Sequence, residues 1–158
     1  MVGKKEDGNN VLFLIEWKYT EDYRRENKYI PQRYKIYDKL LAEPNCPIKS
    51  DDYESLYYEP FYQLMRQTLL GWKMVEDGEY SCDEFVHLHI VPKENKELLD
   101  RVTSPKLKGN SMSEAWQGVL KEKKRYLVIS PEKFILPIYL YEDTKSITSY
   151  LQIRYWRS

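Results

Sequence analysis

Apolar residues fall along this chain in two patterns: short unbroken runs, and longer stretches at helical spacing. The run Val11-Leu12-Phe13-Leu14-Ile15 follows the turn-forming Asp7-Gly8-Asn9-Asn10 and leads into Glu16-Trp17-Lys18-Tyr19. A short, partly β-branched run leaving a tight turn predicts a strand. Met1 to Glu6 precede the turn, enough for a stub of a partner strand, so the chain reads as beginning in the middle of a motif.

Tyr23 to Tyr29 is polar and reads as irregular. From Gln32 to Leu41 the residues Tyr34, Ile36, Tyr37, Leu40 and Leu41 recur at helical spacing. Pro44 and Pro47 end that helix. Ser50 or Asp51 is placed to cap the next helix, expected over Asp52 to Glu76, with Leu56, Phe61, Leu64, Met65, Leu69 and Trp72 on its apolar side. Pro60 falls inside the pattern, which predicts either a kink or two consecutive helices. Phe85 to Val91 reads as a second strand, stopped by Pro92. A short helical piece over Asn95 to Val102, a loop over Ser104 to Asn110 and a helix over Ser113 to Glu122 follow. Tyr126 to Ile129 reads as strand, and Pro131 to Tyr141 gives no clear pattern. Asp143 or Thr144 is placed to cap a last helix reaching about Trp156. Strands alternating with longer helices make this α/β, in one domain over residues 1–158.

Composition narrows the function classes. The chain has 158 residues with 25 basic and 25 acidic side chains, so its formal net charge is zero. A sequence-independent nucleic-acid coat is usually strongly basic, so any nucleic-acid contact here needs a local patch. Fifteen tyrosines against four phenylalanines suit half-buried faces, and also a surface that stacks bases or docks a partner. Cys46 and Cys82 are far apart without metal-ligand spacing, and read as free thiols. The N-terminus lacks an apolar signal region, and no stretch approaches the roughly 20 apolar residues of a membrane span. The expectation is a soluble, cytoplasmic protein with no membrane partner.

Glu16 and Lys18 stand two residues apart on the first strand, so their side chains share one face. An apolar strand that turns acidic and basic at its end has two readings. The strand exits into solvent and the pair is a surface salt bridge; or the pair builds a metal-and-phosphate site, with the carboxylate holding Mg²⁺ and the ammonium positioning the attacking water.

The stretch Leu14-Ile15-Glu16-Trp17-Lys18-Tyr19-Thr20-Glu21 resembles the second half of the PD-(D/E)xK nuclease motif. More narrowly, it resembles a bacterial group of restriction endonucleases in which Ile15 to Glu21 closes the core hairpin. Glu59-Pro60-Phe61-Tyr62-Gln63-Leu64-Met65-Arg66-Gln67, His87-Leu88-His89-Ile90-Val91-Pro92 and Tyr150-Leu151-Gln152-Ile153-Arg154-Tyr155-Trp156 fit the same group. The resemblance implies a restriction-endonuclease-like fold, with a central mixed sheet flanked by helices, and Mg²⁺-dependent hydrolysis of DNA, with Mn²⁺ as substitute. It makes Glu16 a metal ligand and Lys18 and Gln63 catalytic. Arg66, Gln67 and Tyr19 are then placed to meet nucleic acid, although a solvated helix face explains Gln63, Arg66 and Gln67 equally well.

The superfamily's first acid sits on the strand before Glu16, and here only Glu6 and Asp7 lie upstream. Asp7 is the candidate second metal ligand, yet Asp-Gly is also what a hairpin turn favours. The alternative expectation is that the acid-bearing helix and strand are missing, making the domain partial at its N-terminus. A homodimer mate is another source of a carboxylate. His87 and His89 share a strand face without a completing ligand set, and read as structural on a half-exposed face. The basic run Lys121 to Arg125 meets phosphate or simply ends a helix. Two function classes follow: a metal-dependent DNA endonuclease, or a non-catalytic nuclease-fold module that binds nucleic acid or protein.

Overall fold

The computed structural model describes residues 1–21 and 23–155. Strand β1 (Val2–Lys4) turns back through Asp7, whose carboxylate accepts the Asn9 backbone N–H at 3.0 Å, into β2 (Asn10–Trp17). Strands β3 (Glu84–Ile90) and β4 (Tyr126–Ile129) complete a four-stranded sheet in the order β1-β2-β3-β4. The β1/β2 pair is antiparallel, and β2/β3 and β3/β4 are parallel, so the sheet is mixed. The predicted stub is real, and short: β1 faces only Asn10 to Leu12, and the Met1 carbonyl accepts the Phe13 N–H at 2.8 Å.

Helices α1 (Pro31–Leu41) and α2 (Phe61–Glu76) fill the crossover from β2 to β3. The short helices α3 (Lys96–Leu99) and α4 (Met112–Gly118) fill the crossover from β3 to β4. Pro60 resolves into the second of its two expected outcomes. A 3-10 turn over Tyr53–Tyr57 is followed by α2, with Pro60 at the junction. Asp52, not Ser50 or Asp51, flanks that turn, and its side chain makes no cap. The unpatterned stretch after β4 forms α5 (Pro131–Ile135) and a 3-10 turn (Leu136–Leu140), and α6 (Lys145–Tyr155) closes the chain. Trp156, the expected end of that last helix, lies outside the described residues.

Because strand side chains alternate, Leu12, Leu14, Glu16 and Lys18 share a face with Phe85, His87 and His89. Helix α2 lies on this face at close range. A Cβ on Gly71 would meet Leu14 Cδ1 at 2.4 Å and Phe85 Cδ2 at 2.9 Å, so only glycine admits that approach. The core is built there from Leu12, Phe61, Leu64, Met65, Leu69, Phe85, Trp116 and Tyr126.

The opposite face departs from expectation. The apolar run in β2 predicts burial on both faces, yet Ile15 and Trp17 are 39% and 44% exposed. Ile36, assigned to the apolar face of α1, is 58% exposed, and Leu41 is the buried residue of that helix. Tyrosines supply core instead. Tyr57 stacks on Tyr62 at 5.5 Å, and Tyr29 and Tyr57 donate hydroxyl hydrogen bonds of 2.9 and 2.7 Å to the two oxygens of Asp38. Cys46 and Cys82 are buried free thiols.

Candidate functional site

Glu16 and Lys18 reach the C-terminal end of β2 beneath the first turns of α2. Their side chains retain only 17% and 12% of their exposure, and Lys18 Nζ lies 3.1 Å from Glu16 Oε1. The surface-salt-bridge reading needed a solvated pair, and this pair is largely enclosed. Lys18 Nζ is also 3.9 Å from Glu21 and 5.6 Å from the centre of the Tyr23 ring. The Tyr23 hydroxyl donates to Gln63 Oε1 at 3.2 Å, which links the first turn of α2 to the pair.

Behind the pair, β3 contributes what the sequence reading set aside. Glu16 is the register partner of His89, and Leu14 that of His87. Both imidazoles are enclosed, at 0% and 1% exposure, so the half-exposed face expected for them is a buried one. His87 Nε2 lies 3.4 Å from Glu16 Oε2, a long contact that sets the imidazole against the carboxylate. His89 Nδ1 lies 2.8 Å from the Tyr126 hydroxyl, which in turn donates to Met112 Sδ at 3.3 Å. His87 Nδ1 and His89 Nε2 are buried without a hydrogen-bond partner, and His87 Nε2 and Glu16 Oε2 are buried against each other.

Electrostatics set the charge states. Burial pushes the Glu16 pKa up, but the facing His87 ring and the Lys18 ammonium outweigh it and bring the value down to about 2. Burial pushes His89 down to about 4, so it is neutral at physiological pH. Burial would discharge Lys18, yet its contacts with Tyr23 and Glu16 raise its pKa instead. Near neutral pH the site therefore presents an ionised carboxylate, a charged ammonium and a neutral imidazole.

Glu59, immediately before α2, was not singled out from the sequence. Its Oε2 is buried without a partner, and burial raises its pKa against the Gln63 backbone amide and the charges of Lys28, Lys18 and Arg66. It is a second carboxyl within the electrostatic reach of Lys18.

The remaining predicted residues are dispersed. Asp7 sits in the β1/β2 turn, beyond the Lys4–Asn10 pair and at the opposite end of β2 from Glu16, so the fold does not bring it to the pair. At about 3.3 Å per strand residue the two are on the order of 20 Å apart. Arg66 is exposed and lies 5.5 Å over the Tyr62 ring. Gln67 lines a hollow between α1 and α2 with Tyr37, Leu40 and Arg66. Tyr19 is 39% exposed, and its carbonyl accepts from Asn95 Nδ2 at 3.4 Å. The basic run is tied down locally, with Lys121 Nζ donating to the Pro44 carbonyl at 2.9 Å and Arg125 pairing with Glu122 at 2.5 Å.

Among the described residues no three His, Cys, Asp or Glu side chains converge closely enough to hold an ion by themselves. Mg²⁺ asks for less, since it keeps several waters and binds through one or two carboxylates. Glu16, ionised near neutral pH, is one such carboxylate, with its Oε2 turned to His87. Among the described residues no helix is long and apolar enough to cross a membrane.

No curated protein and no solved structure matches this chain. A family described as Restriction Endonuclease associating with ARP matches residues 1–156. The mixed sheet flanked by helices is accordingly a restriction-endonuclease-like fold, and the role it serves is nuclease-related. On a match of this extent, the chain belongs to the family of restriction endonucleases associating with ARP.

Proposed function

We propose that this protein is a metal-dependent DNA endonuclease whose working pair is Glu16 and Lys18. The observation that carries the reading is the enclosed contact of 3.1 Å between them at the C-terminal end of a central strand. An ion pair of this kind, drawn out of water without a structural need, contributes little to stability, and so calls for another purpose. Glu16 Oε2 would hold the ion, with Lys18 occupying the other oxygen. When bound, Mg²⁺ or Mn²⁺ would lower the pKa of a coordinated water and offset phosphate charge.

The chain's own residues do the rest. Lys18, kept protonated by Glu16 and Tyr23, donates hydrogen bonds to the charge that develops on the phosphate oxygens. Gln63, held by Tyr23, orients the attacking water or the scissile phosphate. Arg66, exposed one helical turn along, grips a neighbouring phosphate of the backbone. The test is nicking and linearisation of plasmid DNA with Mg²⁺, with Mn²⁺ and with both chelated. The reading requires cleavage that appears with the ion and stops on chelation.

A second reading has one observation in its favour. Asp7 is at the far end of β2, and β1 stops beside Leu12, so among the described residues β1 and its turn place no carboxylate across from Glu16. A non-catalytic nuclease-fold module that binds DNA or protein would need none. The same assay separates the two, because a module binds DNA without cutting it. In the enzyme reading the second acid comes from Glu59 or from a homodimer mate.

A further inference from the structure

We infer that His87 joins Glu16 as a protein ligand of the bound ion, so that the site takes imidazole-tolerant divalent ions such as Mn²⁺ more tightly than Mg²⁺. This rests on the metal-dependent reading above and specifies the ion. His87 has no exposed surface, its Nδ1 makes no hydrogen bond, and its Nε2 contacts Glu16 Oε2. A structural histidine commonly uses at least one nitrogen on a neighbouring carbonyl or hydroxyl, as His89 does with Tyr126. His87 makes no such bond to a carbonyl or hydroxyl, and its Nε2 meets the buried Glu16 Oε2 at the long separation of 3.4 Å.

The spacing discriminates between occupants. A water making ordinary bonds of about 2.8 Å to both atoms would have to span them at roughly 75°, far from its tetrahedral preference. A cation at about 2.1 Å from each would subtend roughly 108°, a normal coordination angle for nitrogen and oxygen ligands. Lys18 contacts the other carboxylate oxygen, so it does not compete for Oε2. A nitrogen ligand matters for selectivity, because Mg²⁺ strongly prefers oxygen while transition ions accept imidazole.

The experiment is Mn²⁺ binding to the whole chain, followed by pulsed electron paramagnetic resonance and by competition with Mg²⁺. Wild-type protein should show a nitrogen coupling to Mn²⁺ that changes when histidine is labelled with ¹⁵N. This measurement needs no variant and so survives if His87 substitutions fail to fold. Mn²⁺ should bind about tenfold or more tightly than Mg²⁺. His87→Gln should abolish the coupling and most of that preference, and His89→Gln should keep both. Mn²⁺ bound through Glu16 with no nitrogen coupling would overturn the inference and leave the metal-dependent reading standing. A coupling lost in His89→Gln but kept in His87→Gln would overturn the assignment to His87. Absence of any divalent ion binding that Glu16→Gln removes would overturn both.

Discussion

The Tyr126 hydroxyl stands 2.8 Å from His89 Nδ1 and 3.3 Å from Met112 Sδ, so one buried phenol serves both the imidazole and the thioether. Tyr126→Phe should leave His89 Nδ1 buried without a hydrogen-bond partner and cost about 1–3 kcal/mol in urea unfolding. No loss would mean that the chain of contacts holds nothing in place.

His89 also predicts a pH dependence. Its folded-state pKa of about 4 lies below the ordinary 6.5 because burial disfavours the charged ring. The unfolded chain takes up that proton first as pH falls. Stability from His89 is therefore complete above about 6.5 and is lost progressively down to about 4. Unfolding midpoints across this window should fall for the wild type and fall less steeply for His89→Gln. Equal slopes would contradict a neutral buried His89.

Gly71 fixes how closely α2 approaches the sheet, and so where Gln63 stands over the pair. Gly71→Ala would drive a methyl into Leu14 and the buried Phe85, at 2.4 and 2.9 Å. Overpacking of this kind costs about 1–3 kcal/mol, against the modest gain alanine usually brings a helix. The melting temperature should drop. A rise would show that α2 can shift outward freely.

Arg66 is exposed on α2 and, in the nuclease reading, meets phosphate and not bases. Arg66→Ala should weaken DNA binding by similar factors on unrelated sequences and reduce the salt slope by about one. An unchanged salt slope would remove Arg66 from the interface.

What could be read from the sequence was what is local. The turn at Asp7-Gly8, strand β2 and the shared face of Glu16 and Lys18 follow from neighbours in the chain, and all appear in the structure. Tyr126 to Ile129 was read as strand to the residue. The meeting of Glu16 with His87 was not legible, because strand register across a crossover of two helices leaves no short-range signal. His87 and His89 were discounted for want of a nearby acid, and the acid lies on the neighbouring strand. Glu59 was hidden for a similar reason, since only the placement of α2 brings it near Lys18. The stretch from Pro131 resisted a reading because it breaks into a five-residue helix and a 3-10 turn, both too short to show a period.

The most direct test of the central claim is cleavage of plasmid and linear DNA with Mg²⁺ and Mn²⁺ by the wild type beside Glu16→Ala and Lys18→Ala. The account predicts cleavage by the wild type and loss of at least a hundredfold in each variant, the order expected for removing a transition-state contact. Cleavage that persists in both variants would contradict the assignment of Glu16 and Lys18. Well-folded wild-type protein that binds DNA but cuts none of it, with either ion, would contradict the enzyme and leave the binding module.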